Sequence, residues 1–438
     1  MHRKIEIRGV NIKAAASLLA LTLWGSTAPI DSCAQDTPSQ FASFKAWKPI
    51  IDARMRAEFV DQTPFAEDAD AATLRLRAGF ESGKAWNTTV LAEGEFVTPF
   101  VSDYRPDPAR PTHTAFPVVT DPEGYEVNRL QLTNTTLPGT TLTLGRQRIT
   151  LDDQRFIGNV GWRQNEQTFD AVRIVNKSLP TLIVDATYLN QVNRVFGPDS
   201  PQGRWYGDGW LGNVAWQLPT ARLTTFAYVL DFEPLTRFPG LPTAQAAALN
   251  PERVSTATYG ARLSGEHAIA SFKLGYAASY AQQSDYGSNP LRFDLDYYAA
   301  AITGTFGHYG FTLGNELLQG DGTTGFATPL ATLHPFNGWA NKFLTTPANG
   351  LDDRYAAVSY TLKGVSVFDV LSATAFYHEF RTQRLDADLG TEVDVQLQAK
   401  VKRFSGVIKY AAYEAHEGRT PAAYQDTTKL WVQLEYVW

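Results

Sequence analysis

Past residue 47 the chain repeats with a period of two rather than the 3.6 of a helix. Ile51, Ala53, Met55, Ala57 and Phe59 alternate with Asp52, Arg54, Arg56 and Glu58, and Leu74, Leu76, Ala78 and Phe80 alternate with Arg75, Arg77 and Glu81. The same comb returns at Leu182/Val184/Ala186/Tyr188, Phe272/Leu274/Tyr276/Ala278/Tyr280 and Val393/Val395/Leu397/Ala399/Val401. Successive side chains of a strand point to opposite faces, so each segment carries one apolar and one charged face. Such a sheet needs a dry environment on one side and a wet one on the other.

The pattern predicts eighteen strands, centred near 55, 77, 91, 131, 144, 172, 186, 214, 226, 260, 276, 299, 314, 358, 374, 396, 408 and 433. The segments near 144, 172, 226 and 299 have ambiguous parity. The connections alternate in length: ESGK (81–84), TLPGT (136–140), KSLPT (177–181), QLPTA (217–221), GHYG (307–310) and VKRFSG (401–406) are short, while 97–126, 193–209, 232–254 and 319–352 are long and rich in Pro, Gly, Asp and Asn. A sandwich has no reason to obey that rule, whereas a bacterial outer-membrane barrel has tight periplasmic turns and long extracellular loops. The predicted fold is therefore all-β: a transmembrane antiparallel β-barrel over residues 48–438, with both termini on the periplasmic side. Closure also accounts for the ending KLWVQLEYVW (429–438). Leu430, Val432, Leu434, Tyr436 and Trp438 would face lipid on a last strand that pairs with the first, and only Trp431 breaks the alternation.

The N-terminal residues read as an export signal. Arg3, Lys4, Arg8 and Lys13 precede the apolar run Ala14 to Trp24, and Ser32-Cys33-Ala34 offers small residues for cleavage, which predicts a signal peptide over 1–34. Residues 35–47 are a short periplasmic segment, too small for a plug domain. Cleavage after Ala34 removes the single cysteine, and with it any disulfide framework or thiol nucleophile. The net charge of −6 argues against nucleic acid as a partner.

No catalytic or cofactor motif is present: G-x-S-x-G, H-E-x-x-H, the P-loop and G-x-G-x-x-G are all missing, which predicts a non-enzyme with no cofactor. The histidines after the signal are scattered without metal-ligand spacing, and the pairs Asp152-Asp153 and Asp352-Asp353 read as turn formers rather than calcium ligands. The informative charges lie on the inward parity. Arg54, Arg56, Arg75, Arg77, Arg129, Arg262, Lys273, Lys400 and Lys409 would project into the lumen with Asp52, Glu58, Glu81, Glu93, Glu95, Glu316, Glu392 and Asp394. A charge on the lipid face at mid-bilayer costs roughly 2–4 kcal/mol, so these residues must face water or one another. A row of guanidinium groups would offer an anion successive exchangeable sites, moderated by the glutamates. The competing reading is a set of ion pairs that brace the wall.

Two stretches resemble the alginate export family of outer-membrane porins: LGRQRITLDDQRFIGNVGWRQNEQTFDAVRI (144–174) and TLHPFNGWANKFLTTPANGLDDRYAAVSYTL (332–362). The resemblance implies an eighteen-stranded barrel with an arginine-lined pore partly occluded by loops, exporting a polyuronate. It adds Arg146, Arg148, Arg155, Arg163 and Arg173 to the candidate cations. Parity would aim Arg146 and Arg148 at lipid unless a bulge intervenes near Gly145, and such a bulge is expected. The expected partners are outer-membrane lipids and lipopolysaccharide, an anionic oligo- or polysaccharide or smaller anion, and the barrel assembly machinery through Trp438. The expected function is a porin passing an anionic, saccharide-like solute such as an exported polyuronate, with a general or hydrophobic-nutrient uptake porin as the alternative.

Overall fold

A computed structural model describes residues 47–235, 238–418, 420–421 and 424–438. It contains β1 (Lys48–Gln62), β2 (Ala69–Glu81), β3 (Thr88–Asp103), β4 (Gly124–Asn134), β5 (Thr140–Gln147), β6 (Thr168–Leu179), β7 (Leu182–Asn193), β8 (Arg204–Gln217) and β9 (Ala221–Phe232). After a short helix α1 (Thr243–Ala248) come β10 (Thr256–Ile269), β11 (Phe272–Asp285), β12 (Asp294–Phe306), β13 (Tyr309–Leu318), β14 (Leu351–Val365), β15 (Phe368–Arg381), β16 (Asp388–Val401), β17 (Phe404–Glu414) and β18 (Thr427–Val437). Each predicted centre falls inside its strand. Neighbours in sequence pair antiparallel, and β18 pairs back onto β1, with Ala53 opposite Tyr436 and Phe59 opposite Leu430. The sheet closes without an edge, so every strand amide has a partner available inside the bilayer.

The last residue is secured as closure requires: the Trp438 amide donates to the Ile51 carbonyl at 2.9 Å, and the Arg403 guanidinium lies 3.8 Å from the indole. The predicted signal peptide 1–34 and residues 35–46 lie outside the described residues. Trp47 stacks on Phe80 with ring centroids 4.4 Å apart.

Connection length alternates as expected. Turns at 270–271, 307–308, 366–367 and 402–403 are two residues long, and Ala270, Gly307, Ser366 and Lys402 take the positive φ that suits tight hairpins to the strand twist. At the opposite end run 104–123, 148–167, 233–255 and 319–350. The Asp352-Asp353 pair opens strand β14 instead of forming a turn.

The outer face carries a continuous apolar belt, with Leu132, Leu144, Ile174, Ile302, Leu313, Val358, Leu397 and Ile408 all exposed. Exposed Tyr125, Trp210, Tyr259, Tyr309 and Trp438 are the aromatic side chains that suit bilayer interfaces. The interior is partly apolar, where the inward parity of the strands led to an expectation of lumen charges. The inward residues of β9 are Phe226, Tyr228, Leu230 and Phe232, all buried, and β12 adds Leu295 and Tyr297. They pack on Phe156, Ile157, Phe326 and Leu330 from the loops 148–167 and 319–350, with Phe156 5.0 Å from Phe226 and 5.2 Å from Tyr297. These strands had ambiguous parity because both of their faces are apolar, one for lipid and one for the inserted loops.

Candidate functional site

The lumen is narrowed by two loops that fold inward and are held by charged side chains of the wall. Loop 148–167 bends sharply, and its backbone carbonyls need partners that a loop cannot supply to itself. Strands β1 and β2 supply them. Arg54 Nη1 donates to the carbonyls of Gly161 (2.9 Å), Trp162 (3.2 Å) and Arg163 (3.2 Å). Arg56 donates to the Trp162 carbonyl and to Gln433 Oε1 at 2.7 Å, and Arg77 reaches the Gln164 carbonyl at 3.4 Å. Five donors in a rigid fork fit this task better than a lysine would. The loop returns charge to the wall, with Arg163 donating to Glu58 at 3.0 Å and Glu166 accepting from Arg148. Burial works to raise the Glu166 carboxyl, but Arg77 and Arg148 outweigh it and hold the group below the usual range.

Loop 319–350 is caught on the other side. The Trp339 amide donates to Asp394 Oδ2 at 3.2 Å and the Ala340 amide to Glu392 Oε1 at 2.6 Å. Gly338 is required there: its φ is +81°, and a Cβ would sit 2.4 Å from Glu392 Oε2. Lys409 Nζ lies 3.5 Å from the Trp339 ring and 4.5 Å from the Trp162 ring, and donates to His334 Nε2 at 2.7 Å. Burial and the Lys409 cation push His334 well below the usual imidazole range. The neutral ring then accepts at Nε2 and donates from Nδ1 to Asn341 Oδ1 at 2.9 Å.

The loops lock together at the centre. His334 stacks on Trp162 with centroids 4.4 Å apart and planes 7° from parallel. Trp431, the residue that breaks the parity of the last strand, is fully buried and meets Trp162 edge-on at 5.9 Å. The Gly158 amide and the Gln167 side chain both donate to the Leu330 carbonyl, at 2.8 and 3.0 Å. Arg155 crosses over to donate to Asn337 Oδ1 at 3.1 Å and to pair with Glu316.

This geometry divides the sequence-predicted cations. Arg54, Arg56, Arg75 and Arg77 are buried, and none faces an open lumen. Arg54 and Arg75 share Glu435, Arg75 pairs with Asp52, and Arg77 pairs with Glu95. The inserted loop covers them and bracing engages all four, although Arg75 Nε and Nη1 are buried without a partner among the described residues. Glu93 and Glu95 are buried partners in the same network, Glu93 holding Arg129 at 2.7 Å. Lys409 is buried between two indoles. Arg146 is a further correction. It keeps the parity of Leu142 and Leu144 on the outer face, in register with Leu130 and Asp170, and pairs with Asp170 at 2.7 Å. The bulge expected near Gly145 is not there. Gly145 takes φ +108°, and a Cβ there would lie 2.3 Å from the Leu130 carbonyl, while register slips lie on the pairings β2–β3, β3–β4, β6–β7, β7–β8 and β15–β16.

The remaining cations stay partly open on the inner wall. Arg148 has 30% of its side chain exposed, Arg173 pairs with Asp185, Arg262 pairs with Asp153 at 2.8 Å, and Lys273 and Lys400 are exposed. Arg222, which sequence reading missed because β9 lacks a clear comb, is exposed on the same wall, its side chain making no hydrogen bond or ion pair among the described residues. Arg222, Arg262, Ser264, Glu266 and Thr303 line a cavity of about 550 Å³ near the short-turn end of β9–β12.

A closed cylinder of eighteen antiparallel strands, greasy outside and crossed inside by folded loops, is an integral outer-membrane β-barrel of porin architecture. Among solved structures it is similar to Pseudomonas aeruginosa OccK9 (OpdG), at 14% identity and TM-score 0.65 over 90% of this chain and 99% of that one. It is also similar to Acinetobacter baumannii OccAB2, at 16% identity and TM-score 0.65 over 91% and 99%. A third is P. aeruginosa OpdK with vanillate, at 14% identity and TM-score 0.63 over 89% and 98%. No family model and no curated protein matches the chain, so the resemblance to the alginate export family gains no support.

Proposed function

We propose that this barrel is a passive uptake channel for small anionic solutes, carboxylates above all. The observation that carries the reading is the division of the lumen cations: the buried arginines of β1 and β2 fix the constriction, while Arg148, Arg173, Arg222, Arg262, Lys273 and Lys400 stay within reach of a solute. Attraction that is spread over several sites and tempered by neighbouring carboxylates lets an anion enter and leave. OpdK was solved with vanillate, a small aromatic carboxylate, which agrees with that size and charge.

Export of a polyuronate is the second reading, favoured by the same cations and by the resemblance of 144–174. The apolar core between the two loops and the inner wall of β9 and β12 favours small solutes instead. Planar-bilayer recording separates them. Reversal potentials should favour anions over cations, and a monocarboxylate should permeate where a uronate oligomer only blocks. Cation preference would overturn the anion reading. Sustained current carried by the oligomer would reverse the order of the two.

A further inference from the structure

The pair Asp152-Asp153 forms a turn, closed by the Gln154 amide on the Leu151 carbonyl at 2.9 Å, and it does more than reverse the chain. Asp152 and Gln154 both take left-handed backbone, with φ +49° and +66°, a conformation uncommon outside glycine. The two neighbouring carboxylates reach different strands of the wall. Asp152 Oδ2 accepts from the Asn213 side chain on β8 at 2.9 Å, and Asp153 Oδ2 pairs with Arg262 on β10 at 2.8 Å. Burial raises the Asp152 carboxyl above its usual range, and the Arg222 cation is the foremost influence opposing it. The inserted loop thus brings two carboxylates to the two arginines, Arg222 and Arg262, that line the cavity of about 550 Å³.

This contact differs in kind from the pairs that hold the constriction. The side chains of Arg77 and Glu95 are 4% and 0% exposed, whereas those of Arg262 and Asp153 are 21% and 33% exposed. An ion pair open to water is worth little, and a buried one is costly to break. Both partners also keep a second bond when they part. Arg262 Nη1 donates to Ser279 Oγ at 3.0 Å, and Asp153 Oδ1 accepts from the Arg155 amide at 3.2 Å. The turn itself need not move, because Leu151 is buried on one side of it and Arg155 is fixed to Thr328 Oγ1 at 2.9 Å on the other. Side-chain rotation alone opens and closes the pair, on the wall of the cavity.

We infer that Asp153, with Asp152 beside it, is a tethered counter-anion that limits how long a passing anion stays: it occupies Arg262 until an anion from the cavity takes its place, and reclaims the cation as that ion leaves. Asp153 is then a specificity-determining residue of the pore. Without it, Arg222 and Arg262 become a two-cation trap near the short-turn end, which holds a divalent anion instead of passing it. The exchange rests on the channel reading for conduction alone, not on the solute proposed for it.

The test is single-channel recording in potassium chloride with sulfate as the probe. Asp153→Asn should lengthen each sulfate block by roughly five- to tenfold and raise the chloride-to-potassium permeability ratio by roughly two- to fivefold. Adding Arg262→Gln to Asp153→Asn should return the block to the parent length, because the two residues act as one unit. The urea unfolding midpoint of Asp153→Asn should match that of the parent. Blocks of unchanged length in Asp153→Asn overturn the inference, and so does a lengthening that survives in the double variant, since a general effect of charge needs no Arg262. A lowered midpoint with unchanged blocks assigns the pair to bracing and overturns it equally. Any of these results with anion preference in the parent sinks the exchange alone. Cation preference in the parent sinks the channel reading instead, and longer sulfate blocks in Asp153→Asn would still support the exchange.

Discussion

Trp431 breaks the alternation of the final strand because it does the work of the lumen, packing edge-on against Trp162 where its neighbours face either lipid or charge. The arginines divide in the same way, and substitution should expose the division. Arg77 is buried against Glu95 and the inserted loop, so Arg77→Ala strands a carboxylate and should cost about 3–5 kcal/mol, read as a lower midpoint in urea unfolding. Arg262→Ala should leave that midpoint within about 1 kcal/mol because its pair is partly exposed, while shifting the reversal potential toward cations. An unchanged reversal potential would remove Arg262 from the solute path. Gly338→Ala should unseat loop 319–350, since the new Cβ would collide with the carboxylate that holds the Ala340 amide. Faster proteolysis within 319–350 is the measurement.

At the scale of elements, the two inserted loops stand or fall together. Trp162→Ala removes the surface on which His334 and Lys409 rest and should cost about 3–5 kcal/mol, with a larger and noisier single-channel current. Their seat also carries a pH dependence whose sign is fixed. His334 is held neutral in the fold, well below its usual value, by burial and by Lys409, whereas the unfolded imidazole titrates near about 6.5. Below that pH the unfolded or released loop binds a proton that the seated loop does not. The stabilisation is therefore present above about pH 6.5 and is lost as pH falls. Acidification should raise current noise in the parent, and His334→Gln should flatten that slope. A slope unchanged in the variant would assign it to the carboxylates around it.

For the whole molecule, anion preference arises from lumen charges in contact with electrolyte, so it should fade as salt rises from about 0.1 M to 1 M and the screening length falls from about 10 to 3 Å. Bi-ionic potentials across that range are the check. The sequence by itself determined the cylinder: period two sets which face meets lipid, the alternation of short and long connections sets which end is which, and an even strand number lets Trp438 close onto Ile51. Those are local properties, repeated strand after strand, and a chain of alternating residues has few other ways to satisfy its backbone in a bilayer. Only the tertiary structure decided what fills the cylinder. Nothing in Arg54 or Arg148 as residue types says that the first lies beneath a loop and the second stays open. That depends on where loops 148–167 and 319–350 come to rest, and on contacts such as Trp162 with His334 between residues far apart in the chain. The ambiguous parity of β9 and β12 was the one outward sign, because an apolar inner face is needed only where something dry lies against it.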